Sequence, residues 1–128
     1  MEAIACFIRG ESSDRRSPEF FKFGLENIFP ELSAQNIEAF AKDFYREVRC
    51  GLLHQAMTRG RVSIVRAQAL AIQATVGSDG SSLHIQLDPW TFLAHVLKHF
   101  EGYVAQLRDP SQNELRQNFE RWFEARAA

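Results

Sequence analysis

The sequence predicts a mainly α fold: a small helical bundle carrying a β-hairpin or three-strand insertion between the last two main bundle helices. Three observations lead there. Apolar residues recur at three- and four-residue intervals from about 34 to 57 and again from 89 to 107. Between these segments, "VSIV", "LAIQATV" and "LHIQL" are β-branched or alternate apolar with polar residues. The 128 residues, 45% hydrophobic and 24% charged, suit one compact domain over 1–128 with its insertion at about 61–87.

Glu2–Ile8 reads as a short apolar helix, ended by Gly10 and the polar run "GESSDRRS". Pro18 suits the first position of the next helix, which presents Phe20, Phe21, Phe23, Leu25 and Ile28 and stops at Pro30. A longer helix is expected from about Ala34 to Met57, with Ser33 as N-cap. Ile37, Phe40, Ala41, Phe44, Val48 and Leu52 draw its buried stripe. Gly51 interrupts it, which points either to close approach of another element or to the chain turning out of the helix. The strands come next, with "GSDGSS" as a turn and a small antiparallel hairpin or three short strands expected. Asp88 and Pro89 form an N-cap and first helical position, and Phe92, Leu93, Val96, Phe100, Val104 and Leu107 make the apolar stripe of that helix. Ser111 and Glu114 have capping-box spacing before a last helix that buries Leu115, Phe119 and Trp122 or Phe123.

Composition excludes several classes. A net charge of −1 argues against a bulk polycationic nucleic-acid binder, though not against a local basic site. The two cysteines, Cys6 and Cys50, form no CxxC pair, so a disulfide framework and a zinc knuckle are not expected, and a reducing cytoplasmic setting is. No apolar run approaches the roughly 18 residues of a membrane span, and no signal peptide is expected at the N-terminus. Eleven phenylalanines suit packed helices with a partner covering some of them.

The chemistry-bearing stretch is "VRCGLLHQ", with Arg49 and His54 five residues apart. Five residues advance a helix by about 7.5 Å and turn it by about 140°. The two side chains therefore meet only through a local irregularity at Gly51, the reach of arginine, or a second chain that offers the same pair across a two-fold axis. Histidine transfers protons near neutral pH, and arginine stays charged and donates to phosphate oxygens. Together they suit attack by a ribose 2′-hydroxyl on a scissile phosphate, with no metal or other cofactor. From residue 42 to 66 the basic side chains are Lys42, Arg46, Arg49, Arg59, Arg61 and Arg66, opposed by Asp43 and Glu47. This is either a phosphate-holding patch or a salt-bridged solvated surface. Arg46 is the accessory cation one turn before Arg49, Arg59 adds charge beyond His54, and Gln55 and Thr58 orient a phosphate or cap the helix end.

Arg49–x4–His54 resembles the Arg-x4-6-His signature of the HEPN superfamily, the higher eukaryote and prokaryote nucleotide-binding domains. The resemblance covers the helical body from Ala34 to Leu107 and implies a helical bundle that forms a homodimer. It implies a metal-independent endoribonuclease acting on RNA as a toxin or defence component beside an antitoxin or adaptor protein. Arg49 would bind and stabilise the phosphate and His54 would move the proton. Inactive members of the superfamily act as binding or scaffolding modules. Two features depart from the pattern: Cys50 stands where an asparagine, aspartate or histidine is usual, and the chain begins inside what would be the first bundle helix.

Duller readings stand beside these. His95 and His99 have i, i+4 metal-ligand spacing, but no third ligand is evident. Tyr45 is read as a core-edge aromatic and Cys50 as a small buried residue. Three functions remain open: a ribonuclease with both pairs in one cleft, an inactive HEPN-like module with its pair held in ion pairs, and a structural helical protein.

Overall fold

The computed structural model describes residues 1–34, 37–52, 57, 60–66, 69–79 and 83–127. It is a mainly helical bundle with a small three-strand sheet inserted among the helices. Helix α1 (Glu2–Arg9) closes on Gly10, whose φ of 68° is left-handed and whose N–H bonds back to the Cys6 carbonyl. Glycine suits that position because a side chain there would be strained and would also strike the Asn118 backbone. Helix α2 (Ser17–Ile28) starts with Pro18 in its first turn, as expected. A Cβ on Gly24 of α2 would run into the Met1 carbonyl, so this glycine sets how closely the start of α1 lies on α2.

The next segment differs from the expected single helix. Pro30–Ala34 is a 3-10 turn, so Pro30 opens a tight turn and Ser33 lies inside it. Helix α3 (Ile37–Phe44) runs directly into a π-helical turn over Tyr45–Cys50. Gly51 is right-handed, with φ −58° and ψ −52°, and the helix passes through it to Leu52. The irregularity therefore precedes Gly51, and the chain does not turn out there. A π turn holds one residue more than the α-helical pattern, which rotates the residues beyond it by about 100°. Phe40, Ala41, Phe44 and Val48 are buried as the periodicity predicts, whereas Leu52, beyond the π turn, is half exposed.

Strands β1 (Val62–Ile64), β2 (Ile72–Val76) and β3 (Leu83–Leu87) form one sheet in the order β1-β3-β2. The β2–β3 hairpin is antiparallel as expected, with Val76 opposite Leu83, and the third strand, β1, lies parallel to β3, with Val62 opposite Ile85 and Ile64 opposite Leu87. β1 and β2 lie on opposite edges of β3, so no tight turn between them sets the direction of β1. Ile72, Ile85 and Leu87 turn inward onto Leu25, Phe29, Phe40 and Phe44, while Gln73, Thr75, His84 and Gln86 form the opposite, polar face.

Helix α4 (Pro89–Arg108) begins at Asp88, whose Oδ1 accepts from the Trp90 and Thr91 N–H groups at 3.0 and 3.3 Å. Asp88 is 2% exposed. Asp88→Ala is expected to cost about 1–2 kcal/mol, and Asp88→Asn to keep most of that. Urea unfolding checks this: equal midpoints for Asp88→Ala and wild type would mean that the cap contributes nothing.

Helix α4 turns only part of the stripe read from its sequence to the core: Phe92 and Val96 pack there, whereas Leu93 and Phe100 are exposed. Tyr103, outside that stripe, is buried as well. Helix α5 (Asn113–Ala127) lies on α1, and none of its residues is buried: Leu115, Phe119 and Trp122 are partly covered and Phe123 is exposed. Ser111 is not a helix cap either. Its N–H and hydroxyl both bond to the Asp109 carboxylate in the turn before α5. Leu93, Leu97 and Phe100 on α4 and Phe123 on α5 are left exposed.

Candidate functional site

The π turn carries the two described arginines of the expected site. Arg49 points back to α1, where its Nε lies 2.9 Å from Glu2 Oε1. Both side chains of this pair are mostly covered. The guanidinium also sits over the Tyr45 ring, 5.2 Å from its centroid. Partial burial opposes the Arg49 charge, the adjacent Glu2 carboxylate together with Tyr45 and Cys50 outweighs it, and the result is a pKa above the usual arginine value. Tyr45 is the core-edge aromatic expected of it: its ring packs edge-on against Phe21 at 5.3 Å, and burial first of all raises its pKa.

Arg46 is also engaged. Its Nε donates to Glu47 Oε1 at 2.6 Å and its Nη2 to Asp43 Oδ1 at 3.0 Å. Asp43 and Glu47, the two acids of the basic segment, thus hold the accessory cation at the surface. Arg61 and Arg66 are exposed and make no ion pair among the described residues. The patch is therefore partly neutralised around Arg46 and Arg49 and open further along the chain. His54, Gln55, Thr58 and Arg59 lie outside the described residues.

Among the described residues no group of His, Cys, Asp and Glu side chains is arranged to hold a metal ion. His95 and His99 of α4 have separate surroundings. His95 Nδ1 donates to the Thr91 carbonyl at 2.9 Å and its ring lies against Phe29. His99 Nδ1 is buried without a partner. Cys50 is a half-buried free thiol.

One polar pair was not legible in the sequence. Ser63 Oγ on β1 lies 3.0 Å from His84 Nε2 on β3. A serine nucleophile needs a base that is itself oriented by a third group. The residue opposite His84 on β2 is Thr75, and the remaining neighbours on that face are glutamines. The pair pins β1 to β3, and its only sequence signal is the polar alternation of both strands.

No helix among the described residues is long and apolar enough to cross a membrane. Comparison with known proteins yields no matching family model, no matching curated protein and no matching solved structure.

Proposed function

We propose that the chain is a divergent HEPN-like module that acts by binding, as an adaptor in a reducing cytoplasmic setting, and pairs with a second copy of itself. The observation that carries this reading is the Arg49–Glu2 pair. A ribonuclease of this type needs the guanidinium free to take a scissile phosphate. Here it is committed to a carboxylate 47 residues away, on another helix, and is partly covered. The two free thiols fit the setting.

The self-association surface is the row of α4 that the core leaves uncovered. Trp90 is 66% exposed, Leu93 47%, Leu97 52% and Phe100 45%. With the half-buried Val104 and Leu107 they hold the spacing of a coiled-coil seam. The row is close to symmetric about its middle. An antiparallel pair would layer Trp90 on the partner's Leu107, Leu93 on the partner's Val104 and Leu97 on the partner's Phe100. Two copies would remove on the order of 1,000 Å² from water, the lower bound for a specific interface.

A metal-independent ribonuclease is the second reading, and the π turn favours it. Such turns occur frequently at functional sites, and this one contains Arg49, the first residue of the Arg49–x4–His54 motif. The two readings part in one assay: cleavage of a labelled mixed-sequence RNA in excess EDTA by folded, sized wild type, Glu2→Gln, Arg49→Ala and His54→Ala. The binding-module reading expects no cleavage from any of them, including Glu2→Gln, which releases Arg49. EDTA-resistant cleavage leaving 2′,3′-cyclic phosphate ends and lost in His54→Ala would replace it with the ribonuclease.

A further inference from the structure

On the side of α4 turned away from the apolar row, a cavity of about 560 Å³ opens between α4, the end of α2 and the 3-10 turn. That volume lies within the range of small-molecule sites. Gly102 lies in its wall, well inside the 20-residue helix α4. A helix-interior glycine lowers stability relative to alanine and usually has a backbone or packing reason. Gly102 has neither. It is not among the glycines with positive φ, and a Cβ added to it would meet nothing within 4 Å. What the missing side chain leaves is cavity.

The neighbours of Gly102 are His99 and Tyr103. Tyr103 is 4% exposed, and neither its Oη nor His99 Nδ1 has a hydrogen-bond partner. His95, one turn earlier, shows the local alternative, since its Nδ1 bonds back to the α4 backbone. Native proteins rarely leave two such groups unmade in adjacent side chains without a use for them. Burial pushes the Tyr103 phenol up to about 12, so it remains a neutral O–H donor. Burial, and then the positive charge of the Met1 amino group, holds His99 below the ordinary histidine range. The imidazole then keeps one N–H. Lys98 adds a cation on the same wall, and Ile28 and Leu115 supply apolar surface.

We propose that this cavity binds a small organic acid with an apolar body. Its carboxylate is taken by Lys98, His99 and Tyr103, and its body lies over Gly102 against Ile28 and Leu115. Both unpartnered atoms are closed off from water, so capture turns the two side chains toward the cavity and satisfies them there. Glu31, on the opposite wall, accepts from an ammonium group where the acid carries one, as an amino acid does. The site uses no residue of the Arg49 region and stands apart from the function proposed above.

The test is calorimetric titration of the full chain with phenylacetate, L-phenylalanine and phenethylamine, alongside thermal melting. Both acids are expected to bind saturably and the amine not to bind. Tighter binding of phenylalanine than of phenylacetate would support a role for Glu31, and equal binding would support capture by the carboxylate and body alone. A Cβ at Gly102 meets nothing within 4 Å, so Gly102→Leu is expected to occupy the cavity, to melt no lower than wild type and to bind neither acid. Tyr103→Phe removes an unpaired hydroxyl. It is expected to melt higher than wild type and to bind phenylacetate roughly tenfold more weakly. Lys98→Gln is expected to weaken binding about threefold. The proposal is overturned by folded wild type that binds neither acid at about 10 mM. Phenethylamine binding as tightly as the acids would overturn it, as would a folded Gly102→Leu that binds like wild type. Should Gly102→Leu not fold, the opposite shifts of melting and binding in Tyr103→Phe decide the matter.

Discussion

Leu97→Glu is expected to break the antiparallel α4 pair proposed above without unfolding the chain. Leu97 lies at the centre of the uncovered α4 row and is half exposed in the single chain, so a carboxylate there stays hydrated in the monomer. Surface substitutions of that kind usually move stability by no more than about 0.5 kcal/mol. In the antiparallel pair the same carboxylate would be enclosed against the partner's Phe100, once in each subunit. Desolvating a charge with no counter-ion costs several kcal/mol. The dissociation constant should therefore rise by at least about a hundredfold. Light scattering over a concentration series, with urea unfolding beside it, reads both quantities. Wild type that is monomeric at every concentration would remove the α4 dimer, and so would a Leu97→Glu dimer of unchanged affinity. Wild type and Phe123→Glu serve as the comparison, because Phe123 is comparably exposed but lies on α5, away from the row.

The parts of the fold that the sequence made legible are local ones. Asp88 caps the helix that Pro89 starts, Gly10 closes the first helix, and "LAIQATV" and "LHIQL" pair across "GSDGSS". In each case the residue that determines the geometry lies within a few positions of the geometry it determines. The parallel docking of β1 on β3 has no local signal because β1 is not paired with β2, the next strand in the sequence. Helix α4 carries two adjacent apolar rows, and periodicity alone does not say which one meets the core. The deeper row, through Phe92, Val96 and Tyr103, won that contact.

The candidate site divides in the same way. Arg49 stands out in the sequence as a cation in a greasy stretch, but Glu2, its partner, is 47 residues away with no local signal. The π turn is also invisible to periodicity, because one extra residue leaves the stripe intact through Val48 and displaces it only at Leu52. Gly102 is a signal of the same kind as Gly51, one that periodicity does not bring out. A mid-helix glycine needs a reason, and at Gly102 neither backbone conformation nor packing supplies one.

The largest stability effect is expected at Phe44, and it bears on the site. Phe44 is 2% exposed and is the last residue of α3 before the π turn that carries Arg46 and Arg49. Its ring lies 6.0 Å from Phe21, 5.6 Å from Phe40 and 6.1 Å from Phe92, so one side chain joins α2, α3 and α4. Phe44→Ala removes the apolar ring and leaves a cavity that three helices border, for a loss of about 3–5 kcal/mol. Domains of this size are commonly stable by about 5–15 kcal/mol, so the variant should stay folded but close to its limit. Phe44→Leu keeps most of the volume and should lose about 1–1.5 kcal/mol. Urea midpoints at constant slope measure both. The π turn is held to the core chiefly through Val48 and the ring of Phe44 just before it, so hydrogen exchange across 45–50 should accelerate in Phe44→Ala more than across α5. A loss below about 1 kcal/mol would mean that the neighbouring rings close over the gap, and that the segment carrying Arg49 takes its position from the Glu2 pair instead.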